Sequence, residues 1–328
     1  MTPSVTQPTE RWRDLAGPVG ILETGPHNAI TDVEGIRVGH SQSSAGEASG
    51  VTVIEPPRLP ARAGTAVVNG TGVLSASLEI DEWGTFGTPI YLCGTHAVGT
   101  VYQAAIVASG LGPEYVTIPV VGECDDGLMA DSRKIVAADV EAALSALASG
   151  PVAEGTVGAG TGMSCFDFPG GIGTASRIAG EWTVGVQLLC NFGDRERLDL
   201  LGHRLDPAPP PEKAPDGSCI AVCATDAPLD ALALSRLALR PLLGLSRAGS
   251  YATNGSGEIG LAFSTAETTA DLSYEAITLL FAAAWEAAHE AVMNCLVAAR
   301  PGRRLDGSEQ DGFPLDLVRE LAAQGRSL

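Results

Sequence analysis

The stretch Arg247-Ala248-Gly249-Ser250-Tyr251-Ala252-Thr253-Asn254-Gly255-Ser256-Gly257-Glu258 decides how this chain is read. It joins two segments of different period. Upstream, Pro228 to Leu243 carries apolar residues at helical spacing, and downstream Glu258 to Ser264 reads as a buried strand. An isolated Gly-Ser pair is ordinarily a surface loop. Between a helix and a strand, however, such a junction exposes a backbone carbonyl to a hydroxyl one residue away. If the chain cuts itself there, Ser250 becomes a new N-terminus that carries a nucleophile and its own base. A serine hydroxyl is a poor nucleophile at neutral pH and needs an adjacent base. An α-amino group, with a reference pKa of about 7.7–8, is partly neutral near pH 7 and supplies one without a histidine.

Working outward from the junction, a series of short strings runs along nearly the whole chain. The first is Gly25-Pro26-His27-Asn28-Ala29-Ile30-Thr31-Asp32-Val33-Glu34-Gly35-Ile36-Arg37-Val38-Gly39-His40. Val68-Asn69-Gly70-Thr71-Gly72 and Thr95-His96-Ala97-Val98-Gly99 come next, then Gly158-Ala159-Gly160-Thr161-Gly162-Met163. Gly170-Gly171-Ile172-Gly173-Thr174-Ala175-Ser176-Arg177 and the run from Val184 to Gly193 complete the series. Each is weak alone. In this order, and followed by Gly249-Ser250, they resemble the self-processing aminopeptidases that include L-aminopeptidase/D-esterase and the β-peptidyl aminopeptidases.

That resemblance implies an α+β fold: a four-layer α/β/β/α sandwich like that of N-terminal nucleophile hydrolases, with different strand connectivity. It implies a single peptidase domain over residues 1–328, cut into an α chain of 1–249 and a β chain of 250–328. Ser250 would be the catalytic nucleophile and Asn191 would help form the oxyanion hole. By its position alone, at the end of an apolar strand, Asn191 reads equally as a turn residue. The resemblance further implies a homo-oligomer, a tetramer of processed heterodimers.

Other candidates carry two readings each. Asn254 and Ser256 stand just past the nucleophile, where they would orient substrate or the free amine, or simply form the turn. Glu258 matches an acidic position in the family and is open to a structural or a catalytic role. Glu123-Cys124-Asp125-Asp126-Gly127 departs from the family's Glu-Thr-Tyr-Asp-Gly, placing Asp125 where relatives carry a substrate-binding tyrosine. Glu123, Asp125 and Asp126 form either a solvated acidic turn or a grip for a substrate ammonium. In the last long helix some relatives place a Ser and a Glu two residues apart; this chain has Ala288-His289-Glu290. Glu290 keeps the carboxylate for catalysis, and His289, on another helical face, is no substitute. His96 reads as a helix-start residue.

Composition bounds the rest. A chain of 328 residues, 45% hydrophobic with 40 Gly and 21 Pro, suits a compact and turn-rich protein. The formal net charge of −19 argues against nucleic acid or an anionic membrane as partner, since phosphate binding needs clustered Lys and Arg. No uninterrupted apolar run reaches the roughly 18 residues of a spanning helix: the segment from Ala276 to Ala284 is broken by Thr278, and Glu286 follows. The first residues lack a signal-like apolar core, and a cytoplasmic location is expected. Seven scattered cysteines read as buried thiols; Cys219 and Cys223, lacking a second pair, do not read as a zinc site. The glycines at 158, 160 and 162 lack the dinucleotide spacing, so no cofactor is expected.

Along the chain, residues 1–24 read as a loosely attached arm docked by Trp12. Strands are expected at Ile36–Val38, Gly50–Ile54, Ala66–Val68, Tyr115–Val121, Thr156–Val157, Ile178–Ala179, Trp182–Cys190, Cys219–Ala224 and Glu258–Ser264. Helices are expected over 95–109, 131–148, 228–243, 273–300 and 315–323. The Pro-rich segment 207–217 reads as a loop within one domain, because the segment it leads to must join the same sheet. Alternation of this kind gives layered sheets flanked by helices. Two further functions stay open at this stage: an acyltransferase of the same fold, and a degenerate member without turnover.

Overall fold

The protein is described from a computed structural model covering residues 10–207 and 217–325. Residues 1–9 and most of the Pro-rich segment lie outside the described residues. Helix α1 (Trp12–Ala16) comes first, then the antiparallel pair β1 (Arg37–Gln42) and β2 (Gly50–Glu55), and β3 (Ala61–Gly70). Helix α2 (Ser77–Trp83), the short β4 (Thr85–Phe86), β5 (Ile90–Gly94), α3 (Val98–Ala108), β6 (Val120–Cys124) and α4 (Ala137–Ser145) follow. A small ribbon of β7 (Ser164–Cys165) and β8 (Phe168–Pro169) precedes β9 (Gly171–Ala179), β10 (Trp182–Asn191) and β11 (Ser218–Thr225). Helix α5 (Ala231–Ala248), β12 (Gly257–Ser264), α6 (Tyr274–Ala298) and α7 (Leu315–Ala323) end the chain.

Two sheets stack between two helical layers, as the resemblance implied. One has the order β1-β2-β5-β6 and the other β4-β3-β12-β11-β10-β9. Three cores separate the layers. Val51, Val53, Tyr91 and Val121 pack under α3 and α4, while Ile54, Leu92, Leu189, Ile220 and Leu261 fill the space between the sheets. Val186, Leu188, Ala221 and Ala262 face α5 and α6. Period-two alternation does this sorting: neighbours along one strand enter different cores.

β9 shows why glycine clusters in this chain. A Cβ at Gly173 would lie 2.0 Å from the Ala291 carbonyl oxygen, so only glycine lets α6 settle on the strand. By length and composition α6 is apolar enough to cross a bilayer, yet most of it is buried against β9, β10 and α5. It is a core helix.

The N-terminal arm is not loose from residue 10 onward. Trp12 is fully buried, Ile178 N donates to Glu23 O (2.8 Å), and Arg11 reaches Glu154 Oε1 (3.0 Å). All seven cysteines are buried and unpaired.

Candidate active site

The junction is built by the end of α5. Gly249 adopts φ +116°, a left-handed conformation that glycine tolerates, and terminates the helix. Its N–H donates to Ser246 O (3.1 Å) and the Ser250 N–H to Leu245 O (3.2 Å), the two bonds of a Schellman motif. A Cβ at Gly249 would meet the Arg197 carbonyl oxygen at 2.0 Å. The serine therefore has a fixed address. Ser250 is only 8% exposed, and its hydroxyl makes no hydrogen bond among the described residues.

Residues 251–256 then lead into β12. Tyr251 donates its hydroxyl to Asp194 Oδ2 (2.9 Å), and Ala252 takes the strained φ of +54°. Ser256 is buried, its hydroxyl within hydrogen-bond reach of Thr253 O and Glu258 Oε2 (both 2.8 Å). Burial pushes the Glu258 carboxyl up, while hydrogen bonds from Ser256 and Asn69 pull the other way. Its Oε1 has no partner among the described residues.

Beside this loop lies a cavity of about 100 Å³, walled by Asp125, Ser164, Asp167, Asn191, Asp194 and Thr253 among others. Asn191 ends β10 opposite Ser218. Its amide donates to Asp125 O (3.0 Å) and Ser218 Oγ (3.3 Å), and its carbonyl accepts from Ser164 N (2.9 Å). Asp125 is exposed and folds back to accept from Gly127 N (2.9 Å). Two larger hollows, about 400 Å³ near Pro56–Arg62 and about 580 Å³ between α3 and α4, contain none of the expected site residues. The first is at the Ser264 end of β12, remote from the Gly257 end where the junction lies. Chemistry, not size, singles out the small cavity.

The structure thus brings Asn191, Asp125 and the loop after Ser250 to one place; Ser250 itself heads that loop rather than walling the cavity. Asn254 is exposed and has no hydrogen-bond partner among the described residues. Three of the expected residues make contacts within the frame. Ser256 is an internal brace, with its hydroxyl spent on Thr253 and Glu258. Glu123 is buried away from the cavity, accepting from Val73 N (2.8 Å) and from the Thr95 hydroxyl, and so braces the chain between β3 and α2.

Glu290 is the third. It is fully buried and accepts from Arg13 Nε (2.9 Å), Arg177 Nη2 (2.6 Å) and Asn28 Nδ2 (2.7 Å). Burial raises its carboxyl, but the hydrogen bonds from Arg13 and Asn28 and the nearby guanidinium charges outweigh that and leave it below the usual range. Those partners tie the N-terminal arm to α6 and β9, and none of them walls the cavity. In this structure the three partners of Glu290 all belong to the frame. Sequence reasoning in turn missed Ser164, Asp167, Asp194 and Thr253 as cavity walls; only the packing of separate loops assembles them.

Comparison with known proteins fits this geometry. The profile of Peptidase family S58 matches residues 28–310. The chain belongs to this family. It is 38% identical to a beta-peptidyl aminopeptidase, BapA, of Sphingosinicella microcystinivorans, covering 97% of this chain and 93% of that protein. A beta-aminopeptidase from Burkholderia sp. superposes with a TM-score of 0.85 at 38% identity, over 96% of this chain and 99% of the other. The L-aminopeptidase D-Ala-esterase/amidase of Ochrobactrum anthropi, a variant of the Ntn hydrolase fold, gives a TM-score of 0.85 at 31% identity, covering 97% and 99%. This family member is a hydrolase, an aminopeptidase.

Proposed function

We propose that this aminopeptidase cuts its own chain between Gly249 and Ser250 and then uses Ser250 as an N-terminal nucleophile. The observation that carries the reading is the Schellman junction, which fixes a serine of low exposure directly after a glycine carbonyl, its hydroxyl free of hydrogen bonds among the described residues. In the first event Ser250 Oγ attacks the Gly249 carbonyl, the peptide becomes an ester, and water hydrolyses it. The freed amine of Ser250 then serves as base.

In turnover the amine takes the hydroxyl proton as Oγ attacks the substrate carbonyl, and gives it to the departing amine. The Asn191 amide, turning from the Asp125 carbonyl, donates to the oxyanion, a contribution of about 2.7–4 kcal/mol. Water then releases the acid from the Ser250 ester. The substrates are short peptides, amides or esters bearing a free amine. Asp125, Asp167 and Asp194 in the cavity wall support that choice, because they offer carboxylates to an ammonium. β-Amino residues belong among the substrates to test, since the relative from Sphingosinicella microcystinivorans is a beta-peptidyl aminopeptidase.

We further propose a homo-oligomer of processed heterodimers in the cytoplasm; seven unpaired thiols support the location. Intact-mass spectrometry of active protein tests the central claim. Two chains ending at Gly249 and beginning at Ser250 are expected, with Ser250→Ala leaving one inert chain. An unbroken chain with full activity would refute it.

A further inference from the structure

Scission would remove the covalent anchor on one side of Ser250, leaving residues 250–256 as the free start of the β chain. Something must then hold the nucleophile, and the backbone does little of this. Among the described residues, the main-chain bonds inside the segment are Ser250 N to Leu245 O and Ser256 N to Thr253 O. Two side chains add to this: Tyr251 reaches Asp194 through its hydroxyl, and Asn69 holds the turn that follows. Its Nδ2 lies 3.2 Å from Ala252 O, 2.9 Å from Thr253 O and 3.1 Å from Ser256 Oγ.

Two further observations bear on this side chain. β3 and β12 change register between Glu258 and Ile259, so that Asn69 opposes Glu258 while Val67 opposes Ile259. Val68 is the extra residue, and a bulge of this kind re-aims the side chain next to it. Ala252, whose carbonyl Asn69 holds, sits at φ +54°, a conformation that persists only where surrounding contacts over-determine it.

We infer that Asn69 is a positioning residue, which holds the Ala252–Thr253 turn and thereby aims the amine and hydroxyl of Ser250 once the chain is cut. The inference rests on the proposed self-processing mechanism. A donor amide suits the task because both carbonyls it meets are acceptors, and their bonds do not depend on whether the 249–250 peptide is intact.

The test uses the full-length protein, Asn69→Ala, and the isosteric Asn69→Asp, which removes the donors. Cut chain is counted on denaturing gels, competent sites are titrated with a serine-directed acylating reagent, and turnover of an aminoacyl 4-nitroanilide is measured per titrated site. We expect kcat per site to fall about 10- to 100-fold in both variants, the scale of a small misplacement of reacting groups. KM should change less than kcat, because Thr253 is the one wall of the cavity that Asn69 holds, and the carboxylate walls keep their own partners. If either cut variant keeps kcat within twofold of the parent, the assignment is wrong. Folded variants that never cleave would also overturn it, placing Asn69 in scission instead. A parent that is uncut, or a Ser250→Ala protein that still turns over, would instead refute the mechanism on which this inference depends.

Discussion

Asn191 and Asp125 are joined by a 3.0 Å hydrogen bond from the asparagine amide to the aspartate main-chain carbonyl. The bond crosses from the end of β10 to the loop after β6, so it links the two sheets at the cavity. Asn191→Asp should therefore do two things. It removes the oxyanion donor, lowering kcat about 10²- to 10³-fold. It also sets a carboxylate against the Asp125 carbonyl, so thermal stability falls modestly. Steady-state kinetics alongside a melting curve separates the two, and wild-type kcat in the variant would exclude Asn191 from the chemistry.

Gly249 is required on two counts, its left-handed φ and the 2.0 Å approach to Arg197 O that any Cβ would make. Gly249→Ala should leave the sandwich folded while displacing the junction. Self-cleavage is then expected to slow by at least about tenfold, on the scale that misplacement costs. Gel densitometry after timed incubation reads it.

Glu290→Ala tests structure against catalysis at one residue. It removes one of the two carboxylates that face the fully buried Arg177 side chain and leaves Glu286 as the counter-charge, so stability should drop by about 3 kcal/mol. Turnover per titrated site, measured well below the melting temperature, should change less than about threefold. A large loss of kcat with unchanged stability would return Glu290 to the catalytic machinery.

His289 is buried with neither ring nitrogen hydrogen-bonded among the described residues. Burial, and then the Arg247 charge, push its imidazolium down to about 3. The unfolded chain would take up a proton near the ordinary value of about 6.5 that the folded chain refuses. Stability therefore falls as pH drops from about 6.5 toward 3. His289→Met should flatten that acid slope and, by removing unsatisfied polar atoms worth about 1–3 kcal/mol each, raise the melting temperature at pH 7 as well. An unchanged acid slope in denaturant titrations would count against this account.

Much of the fold was legible because its signals are local. The helix before Gly249 and the strand after it lie where the apolar periods put them, although α5 continues past Pro241 to Ala248. β9 was legible only at its end, Ile178–Ala179: Gly171 and Gly173 answer to the carbonyls of Gly155 and of Ala291 on α6, demands that no neighbouring residue announces. The strand expected at Tyr115–Val121 forms instead at Val120–Cys124, since Val120 and Val121 are buried while Tyr115 and Val116 are exposed. The frame contacts of Glu123 and Glu290 were not legible, because a lone carboxylate in a family motif carries no mark of its partners. Arg13, 277 residues away from Glu290, is visible only in the folded chain.

By itself the sequence determined the layered α+β class, the family and the Gly249-Ser250 junction. Those rest on periodicity and on residue types adjacent in the chain, which the backbone reads directly. Only the tertiary structure decided which polar groups face the cavity and which brace the frame. Asn69 and the loop it holds lie 183 to 187 residues apart, and strand register, not sequence proximity, brings them within hydrogen-bond reach.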